Sequence, residues 1–96
     1  MVLKWVMEIT WDDRKAADNP KKHDGITFDE GQTIFFDPLI RYFGDSHSDG
    51  NRMIAIGCSD NGQLLLVSFV DYPDRYHMLS ARRPTPEEKK DYEEGI

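Results

Sequence analysis

The feature that most constrains the fold is an almost unbroken apolar stretch over residues 63–70. It follows Asn61-Gly62, a dipeptide that favours the two-residue turn of a β-hairpin. An apolar segment of this length, bounded by turn residues, is typical of a strand at the centre of a sheet. We therefore expect a hairpin in which residues 63–70 pair antiparallel with residues 52–58.

The N-terminal segment predicts a second kind of strand. Residues 4–11 alternate between polar and apolar side chains, with Trp5, Met7, Ile9 and Trp11 on one side. A period of two with one apolar face indicates a half-buried strand. Two further short strands are expected at residues 39–43 and 75–81.

The first helix is expected directly after the N-terminal strand. Asp12 is a favourable N-cap residue and predicts a helix over residues 13–18. Pro20 lacks a backbone N–H and disfavours helical conformation at Asn19, so we expect a break or kink there. Residues 21–23 then form a loose final turn.

Two capping-box sequences, residues 27–30 and 85–88, mark the start of two more helices. In each, a threonine hydroxyl and a glutamate three residues later satisfy backbone groups that a helix start leaves unpaired. In the second, proline follows the threonine at the first helical position, where it is favoured. We expect helices over residues 28–36 and 86–94.

Together these elements have the order β-α-α-β-β-β-β-α. Short connections between consecutive strands predict an α+β fold with an antiparallel sheet of about five strands and helices packed on one face. The length is that of one domain, and no linker, repeat or low-complexity segment appears, so residues 1–96 are expected to form a single domain.

The charge balance limits the partners that the chain can have. The net charge is −6, whereas a nonspecific nucleic-acid binder usually has a basic surface. A local basic patch and a basic protein partner both stay compatible with this total. The lone cysteine, Cys58, excludes an internal disulfide and is interpreted as a small core residue.

Neither a membrane segment nor a leader is expected. No apolar run approaches the length of about 18 residues that a transmembrane helix needs. The first residues lack the basic end and long apolar stretch of a signal peptide. We therefore expect a cytoplasmic protein without membrane contact.

Several short motifs, taken in order and spacing, resemble the BrnT toxin family. The resemblance extends over nearly the whole chain. The matching residues are Trp11-Asp12, 15–17, Asn19, Lys22-His23, Ile26, Phe28, Glu30, 36–38, Arg52, Ile54, Ile56-Gly57, Ser59, 64–67, 80–83, Glu88 and Tyr92.

The resemblance implies a RelE-like fold and RNA cleavage without a metal ion or other cofactor. It also implies neutralisation by a BrnA-like antitoxin, a ribbon-helix-helix protein that itself binds operator DNA. DNA is then met only through the antitoxin complex. Three positions depart from the family pattern: Pro20 lies where the helix normally continues, Asp24 is an additional residue, and His77 stands where arginine is common.

Within this resemblance, Lys22 and His23 are the first catalytic candidates. Metal-free RNA cleavage needs acid–base groups and cations that stabilise the charged transition state. An imidazole, with an ordinary pKa of ~6.5, suits proton transfer in either direction, and Lys22 suits phosphate binding. The alternative is a solvated helix end, where both residue types favour the negative end of the dipole.

Three arginines are further candidates. A guanidinium pairs with two phosphate oxygens at once, so we expect Arg52 and Arg82 to act in catalysis and Arg83 to bind substrate. Consecutive strand residues point to opposite faces, so only one of Arg82 and Arg83 shares a face with a given site. The alternative for this pair is a salt-bridged strand end near Glu87 and Glu88.

His77 and Tyr92 complete the set as expected substrate-binding residues. For His77, which shares strand parity with Arg75, the alternative is a structural cross-strand pair, and for Tyr92 it is core packing. His47 lies in the polar loop 44–51 next to serine and aspartate, but contiguous residues do not make a catalytic triad. The three histidines show no metal-ligand spacing, so no metal site is expected.

The leading hypothesis is therefore a toxin ribonuclease that inhibits translation. Two alternatives remain open at this point: a catalytically degenerate toxin-like module that still binds its protein partner, and an RNA-binding domain that does not cleave. The acidic total charge and the departures at Pro20 and Asp24 motivate the first of these alternatives.

Overall fold

A computed structural model describes residues 8–44 and 51–95. Its strands are β1 (Glu8–Trp11), β2 (Arg41–Gly44), β3 (Arg52–Cys58), β4 (Leu64–Asp71) and β5 (Arg75–Arg82). Its helices are α1 (Asp13–Lys22), α2 (Phe28–Gly31), which continues as a 3₁₀ segment (Gln32–Phe36), and α3 (Pro86–Glu94).

The strands form one mixed sheet in the order β1-β5-β4-β3-β2. The four strands from β2 to β5 pair antiparallel, which confirms the predicted α+β class and the central position of the apolar strand. β1 pairs with β5 in parallel at the edge of the sheet. Parallel pairing requires a crossover connection, which the helical segments and the other strands supply.

The main core lies between one face of the sheet and the segments α1, α2 and the 3₁₀ segment. Ile26, Phe28 and Ile34 pack there against Val67 and Phe69 of β4. All five side chains are at most 2% exposed. This face, here called the core face, therefore contains the side chains that stabilise the fold most strongly through removal of apolar surface from water.

The helix α3 packs on the opposite face of the sheet, here called the α3 face. Tyr92 forms a second apolar cluster there with Ile56 and Leu66. The expectation that all helices cover one face is therefore wrong for α3. The physical reason is that both alternating sets of side chains on β3 and β4 are apolar, so each face of these strands needs a cover.

The predicted break at Pro20 is also wrong, because α1 continues through Pro20 to Lys22. Asp12 caps the start of the helix as predicted, its carboxylate accepting from two backbone N–H groups. At the other end, His23 N–H donates to Asn19 O and Gly25 N–H donates to Pro20 O, both at 2.8 Å. Pro20 thus removes one hydrogen bond near the end of the helix without preventing the bonds that follow it.

The remaining differences concern the ends of elements. β2 begins at Arg41 because Asp37 and Ile40 first close a turn, with Ile40 N–H donating to Asp37 O at 3.1 Å. Residues 4–7 of the predicted first strand and His47 with most of its loop lie outside the described residues. Among the helices of the described ranges, none is long and apolar enough to cross a membrane.

Candidate active site at the edge of the sheet

Asn19 holds the C-terminal end of α1 against the edge of β5. β1 ends at Trp11, beside Met78, so the last residues of β5 extend beyond it. There the Asn19 amide donates to Ala81 O at 2.7 Å and accepts from Ala81 N–H at 3.2 Å. The same amide donates to Ile26 O at 2.8 Å, and Asn19 is 4% exposed. The side chain therefore acts as a short substitute for a neighbouring strand.

This contact creates a cleft of about 130 Å³ between α1 and β5. Lys22 is exposed at its rim, and His23 is half-buried. The residues that line the cleft are Lys15, Asp18, Asn19, Lys22, His23, Leu79 and Ser80. The structure therefore brings both members of the predicted Lys22-His23 pair to one concave site.

Arg83 lies beside this cleft but is paired with other groups. Its Nη1 donates to Asp24 Oδ2 at 2.6 Å, and Asp24 directly follows His23 in the chain. Its Nε and Nη2 donate to Gln63 Oε1 at 3.2 and 2.8 Å. The predicted substrate-binding arginine is thus near the predicted catalytic pair, with a carboxylate in contact with one end of its guanidinium.

The side chain of Gln63 is itself held in place by Glu30. Its Nε2 donates to Glu30 Oε2 at 2.9 Å, and Ser59 Oγ donates to the same oxygen at 2.7 Å. Because Glu30 accepts from the amide nitrogen, the amide oxygen of Gln63 is turned toward Arg83. Glu30 therefore fixes the orientation of Gln63, and Gln63 in turn fixes the plane of the Arg83 guanidinium.

Arg82 points to the α3 face and is held by α3. Its Nη1 and Nη2 donate to the two carboxylate oxygens of Glu88 at 2.8 and 3.0 Å. Glu88 also accepts from the backbone N–H of Thr85 at 2.8 Å, completing the predicted capping box. The hydrogen bond from Arg82 holds the pKa of Glu88 at about 2, against the opposing effect of burial. The structure thus supports a salt-bridged strand end for Arg82 and does not place its guanidinium in the cleft.

His77 and Arg52 occupy one row of the α3 face, on either side of Val70. His77 Nδ1 lies 2.8 Å from Thr10 Oγ1 of β1, which is the structural cross-strand pair considered as its alternative. One strand, β4, lies between Arg52 and His77, so two inter-strand spacings place their Cα atoms about 10 Å apart. Arg52 is exposed at the start of β3, and the structure does not bring it to the cleft.

Tyr92 is packed and hydrogen-bonded away from the cleft. It is 8% exposed, and its Oη donates to Asp37 Oδ2 at 2.7 Å. Burial, together with this hydrogen bond, raises the pKa of Tyr92 to about 12. The pKa of Asp37 is lowered despite its burial, because Cys58 N–H, Leu39 N–H and Tyr92 Oη all donate to it. The observed role of Tyr92 is to attach α3 to the sheet.

The cleft contains residues that the sequence analysis did not select. Ser80 lines the cleft, and its Oγ lies 2.6 Å from Ser68 Oγ on β4. Asp18 lies one helical turn before Lys22, and Lys15 lies two turns before it, a spacing that places all three on the same side of α1. That spacing was the available signal for the two helix residues; the part played by Ser80 depends on the folded sheet.

The set of side chains suits binding of a phosphodiester better than binding of a metal ion. The cleft combines two lysines, one imidazole, one hydroxyl and one carboxylate. Across residues 8–44 and 51–95, no group of three histidine, cysteine, aspartate or glutamate side chains is arranged to hold a metal ion. An imidazole next to ammonium groups supplies the proton transfer and the charge that phosphoryl chemistry needs.

Comparisons with known proteins identify the family and the fold of this chain. The family model "Ribonuclease toxin, BrnT, of type II toxin-antitoxin system" matches residues 11–88. The crystal structure of the Brucella abortus ribonuclease toxin BrnT is similar to this chain, with a TM-score of 0.63 and 22% identity. That similarity covers 82% of this chain and 97% of the Brucella chain, and it supports the same fold. A comparison with curated proteins gives no significant match.

The family match covers most of the chain and includes α1, the cleft and the Glu88 end of the Arg82 pair. The motifs at Trp11-Asp12 and Lys22-His23 lie inside it. The chain therefore belongs to the BrnT family of ribonuclease toxins of type II toxin-antitoxin systems.

Proposed function

We propose that this chain is an active endoribonuclease of RelE-like type that cleaves RNA without a metal ion and is neutralised by a BrnA-like ribbon-helix-helix antitoxin. The observation that carries the proposal is the clamp of Asn19 on Ala81, which fixes Lys22 and His23 in one cleft with Ser80. The proposed reaction and partner place the protein in the cytoplasm, with DNA contacted only through the antitoxin complex.

His23 is assigned to proton transfer in this mechanism. Cleavage begins when the 2′-hydroxyl loses its proton and its oxygen attacks the adjacent phosphorus, and it ends when the leaving 5′-oxygen gains a proton. A half-buried imidazole at the wall of a cleft can perform one of these transfers. A positioned acid or base typically contributes ~10²–10⁴-fold to the rate.

Lys22 and Arg83 are assigned to the phosphate. Lys22 is exposed at the rim of the cleft, so its ammonium group can reach a phosphodiester that lies against Ser80. Arg83 contacts Asp24, the residue that follows His23 in the chain. Preorganised cations directed at developing negative charge typically contribute ~10²–10³-fold.

His77 and Arg52 are assigned to substrate binding beyond the reacting phosphate. Both lie on the α3 face, in the row next to Ser80 and Ser68. An RNA strand that leaves the cleft across this face meets His77 first and Arg52 two strands later. We therefore expect each to affect affinity more than the rate of the bound substrate.

The test is cleavage of single-stranded RNA by the purified chain in the presence of EDTA. His23→Ala is expected to lower the rate at saturating RNA by at least about 100-fold, and Lys22→Ala by a smaller factor. Lys21→Ala is the matched control because Lys21 is exposed on the same helix but does not line the cleft. Equal rates for all three variants would remove the site assignment, and a wild-type chain that leaves RNA intact would remove the activity.

The antitoxin is tested by co-expression with a ribbon-helix-helix reading frame adjacent to this gene. Growth arrest on expression of this chain alone, with rescue by the neighbouring frame, is the expected result. A purified complex that no longer cleaves RNA supports neutralisation by direct binding. A complex that cleaves RNA as fast as the chain alone would contradict neutralisation by direct binding.

One observation favours the alternative of a degenerate binding module. Both arginines at the end of β5 are occupied in ion pairs, Arg82 with Glu88 and Arg83 with Asp24. If the chain binds the antitoxin tightly but leaves RNA intact under all conditions tested, this alternative replaces the nuclease. We prefer an active enzyme because the Arg83–Asp24 pair is exposed, so an RNA phosphate can replace Asp24 at the guanidinium.

A further inference from the structure

We propose that Asp24 is an internal competitor for substrate phosphate at Arg83, and that Gln63 and Glu30 are positioning residues that orient this arginine toward RNA. The inference deepens the proposed function and rests on its assignment of RNA as the substrate. Its tests use binding, so they give an answer even when no cleavage occurs.

The two ion pairs at the end of β5 differ in how firmly each arginine holds its carboxylate. Arg82 and Glu88 form a two-bond pair with side chains 33% and 28% exposed, and Glu88 is also part of a helix cap. Arg83 and Asp24 share one bond, and their side chains are 48% and 88% exposed. Exposed pairs of this kind contribute little to stability, so a stronger anion can displace Asp24.

The guanidinium of Arg83 is held by Gln63 on one side, and on the other side its ligand, Asp24, can be exchanged. Nε and Nη2 both donate to Gln63 Oε1, while Nη1 carries the bond to Asp24. The Gln63 amide cannot rotate without losing its bond to Glu30. Loss of Asp24 from Nη1 therefore leaves the plane and direction of the guanidinium unchanged.

The position of Asp24 directs this exchangeable end at the cleft. Asp24 follows His23 and has a φ of 56°, in the left-handed region that aspartate and asparagine tolerate better than most residues. Its carboxylate oxygen occupies the place that a phosphate oxygen takes at an arginine. An RNA phosphate beside His23 and an Asp24 carboxylate at Arg83 are thus alternative ligands of one guanidinium.

The first experiment measures binding of a 2′-O-methyl RNA, which cannot be cleaved through its 2′-oxygen. Asp24→Asn preserves the shape and the tolerance for positive φ but removes the charge. We expect it to lower Kd by about twofold to fivefold, the factor that corresponds to one exposed ion pair. Glu93→Gln, which removes the same charge from an exposed position on α3, is the matched control and is expected to leave Kd unchanged.

The second experiment places the same change in an Arg83→Ala background. Arg83→Ala alone is expected to raise Kd by about tenfold or more, because a charged hydrogen bond to phosphate is lost. In that background Asp24→Asn should have no effect beyond that of Glu93→Gln. A persistent gain would show that Asp24 repels RNA generally and does not compete for Arg83, which would overturn the inference.

The third experiment separates positioning by Gln63 from a merely structural role. Gln63→Leu is expected to raise Kd for the 2′-O-methyl RNA and KM for cleavable RNA, with kcat little changed. No further increase is expected when Arg83→Ala is already present. An additive increase would assign Gln63 a role independent of Arg83 and remove it as a positioning residue.

These outcomes are distinguishable from failure of the proposed function. A wild-type chain that binds 2′-O-methyl RNA but does not cleave ordinary RNA disproves the nuclease and still tests the competition. Free energies of unfolding measured for each variant show whether it is folded. A folded Asp24→Asn chain with unchanged Kd would disprove the competition whatever the activity of the wild type.

Discussion

Asn19 and Ala81 are joined by two hydrogen bonds in opposite directions, between the side-chain amide of Asn19 and the backbone N–H and C=O of Ala81, 62 residues later in the chain. The amide thereby reproduces the pairing of a neighbouring strand at a point where β1 has already ended. Both residues are buried, and the Asn19 amide nitrogen also donates to a third buried partner, Ile26 O. This one side chain connects the stability of the sheet edge with the placement of His23.

The first prediction concerns the stability of this connection. Asn19→Ala leaves the Ala81 N–H and C=O and the Ile26 C=O without their partner, and buried unpaired groups are costly. We expect a loss of about 2–4 kcal/mol in the free energy of unfolding, measured by urea denaturation. Asn61→Ala, in the exposed turn before β4, is the control and should change it by less than about 0.5 kcal/mol. Similar values for the two variants would mean that the Asn19 bonds are replaced by water.

The second prediction concerns the charge at the cleft. If Lys22 contacts an RNA phosphate, Lys22→Ala removes one released counterion from the binding equilibrium. The slope of log K against log salt concentration for 2′-O-methyl RNA should then become smaller in magnitude by about 0.7. Lys89→Ala removes the same charge from an exposed position on α3. A slope that changes equally for both lysines would indicate attraction by net charge and not a contact at the cleft.

The third prediction concerns stability in acid. The pKa of Glu88 is held at about 2 in the folded chain by Arg82, below the ordinary value of 4.5. The pair therefore stabilises the fold fully above pH 4.5, and this contribution is lost as the pH falls toward 2. After allowance for solvent screening of these partly exposed groups, we expect roughly 1–2 kcal/mol.

Glu88→Gln tests this by flattening the decline in the free energy of unfolding between pH 4.5 and pH 2. Glu87→Gln, at an exposed position in the same turn of α3, is the control. An acid decline that is as steep in Glu88→Gln as in Glu87→Gln would show that other carboxylates control it.

Local patterns were sufficient to predict most elements of this fold. The capping boxes, the apolar run of β4 and the alternation of β1 depend on neighbouring residues, and each predicted its element with small errors at the ends. The parallel pairing of β1 with β5 and the position of α3 on the second face depend on how distant segments meet. Nothing in the local sequence specifies that order.

The same distinction applies to the site. Lys22 and His23 are adjacent in sequence, so a motif was sufficient to select them, and the cleft contains both. The roles of Asn19, Ser80 and Gln63 depend on partners 62, 12 and 20 residues away and have no local signature. For Arg82, charge next to the capping box already suggested a salt-bridged strand end, and the structure has that pair.

The last prediction concerns Tyr92 and stability in alkali. Burial and the bond to Asp37 favour the neutral phenol, so the folded-state pKa of Tyr92 is about 12, above the ordinary value of 10. Its contribution to stability is therefore present below pH 10 and lost as the pH rises through 12. Tyr92→Phe should lower the free energy of unfolding at neutral pH by about 1–2 kcal/mol, because Asp37 loses a charged hydrogen bond.

The same variant should show a shallower alkaline decline than the wild type. The decline should persist in part, because burial also raises the pKa of Tyr42 to about 12. Tyr72→Phe is the control, since the Tyr72 ring contacts the Arg75 guanidinium through its face and that contact does not need the hydroxyl. If Tyr92→Phe and Tyr72→Phe lose stability equally at neutral pH and decline with the same slope in alkali, the bond between Tyr92 and Asp37 does not hold α3 on the sheet.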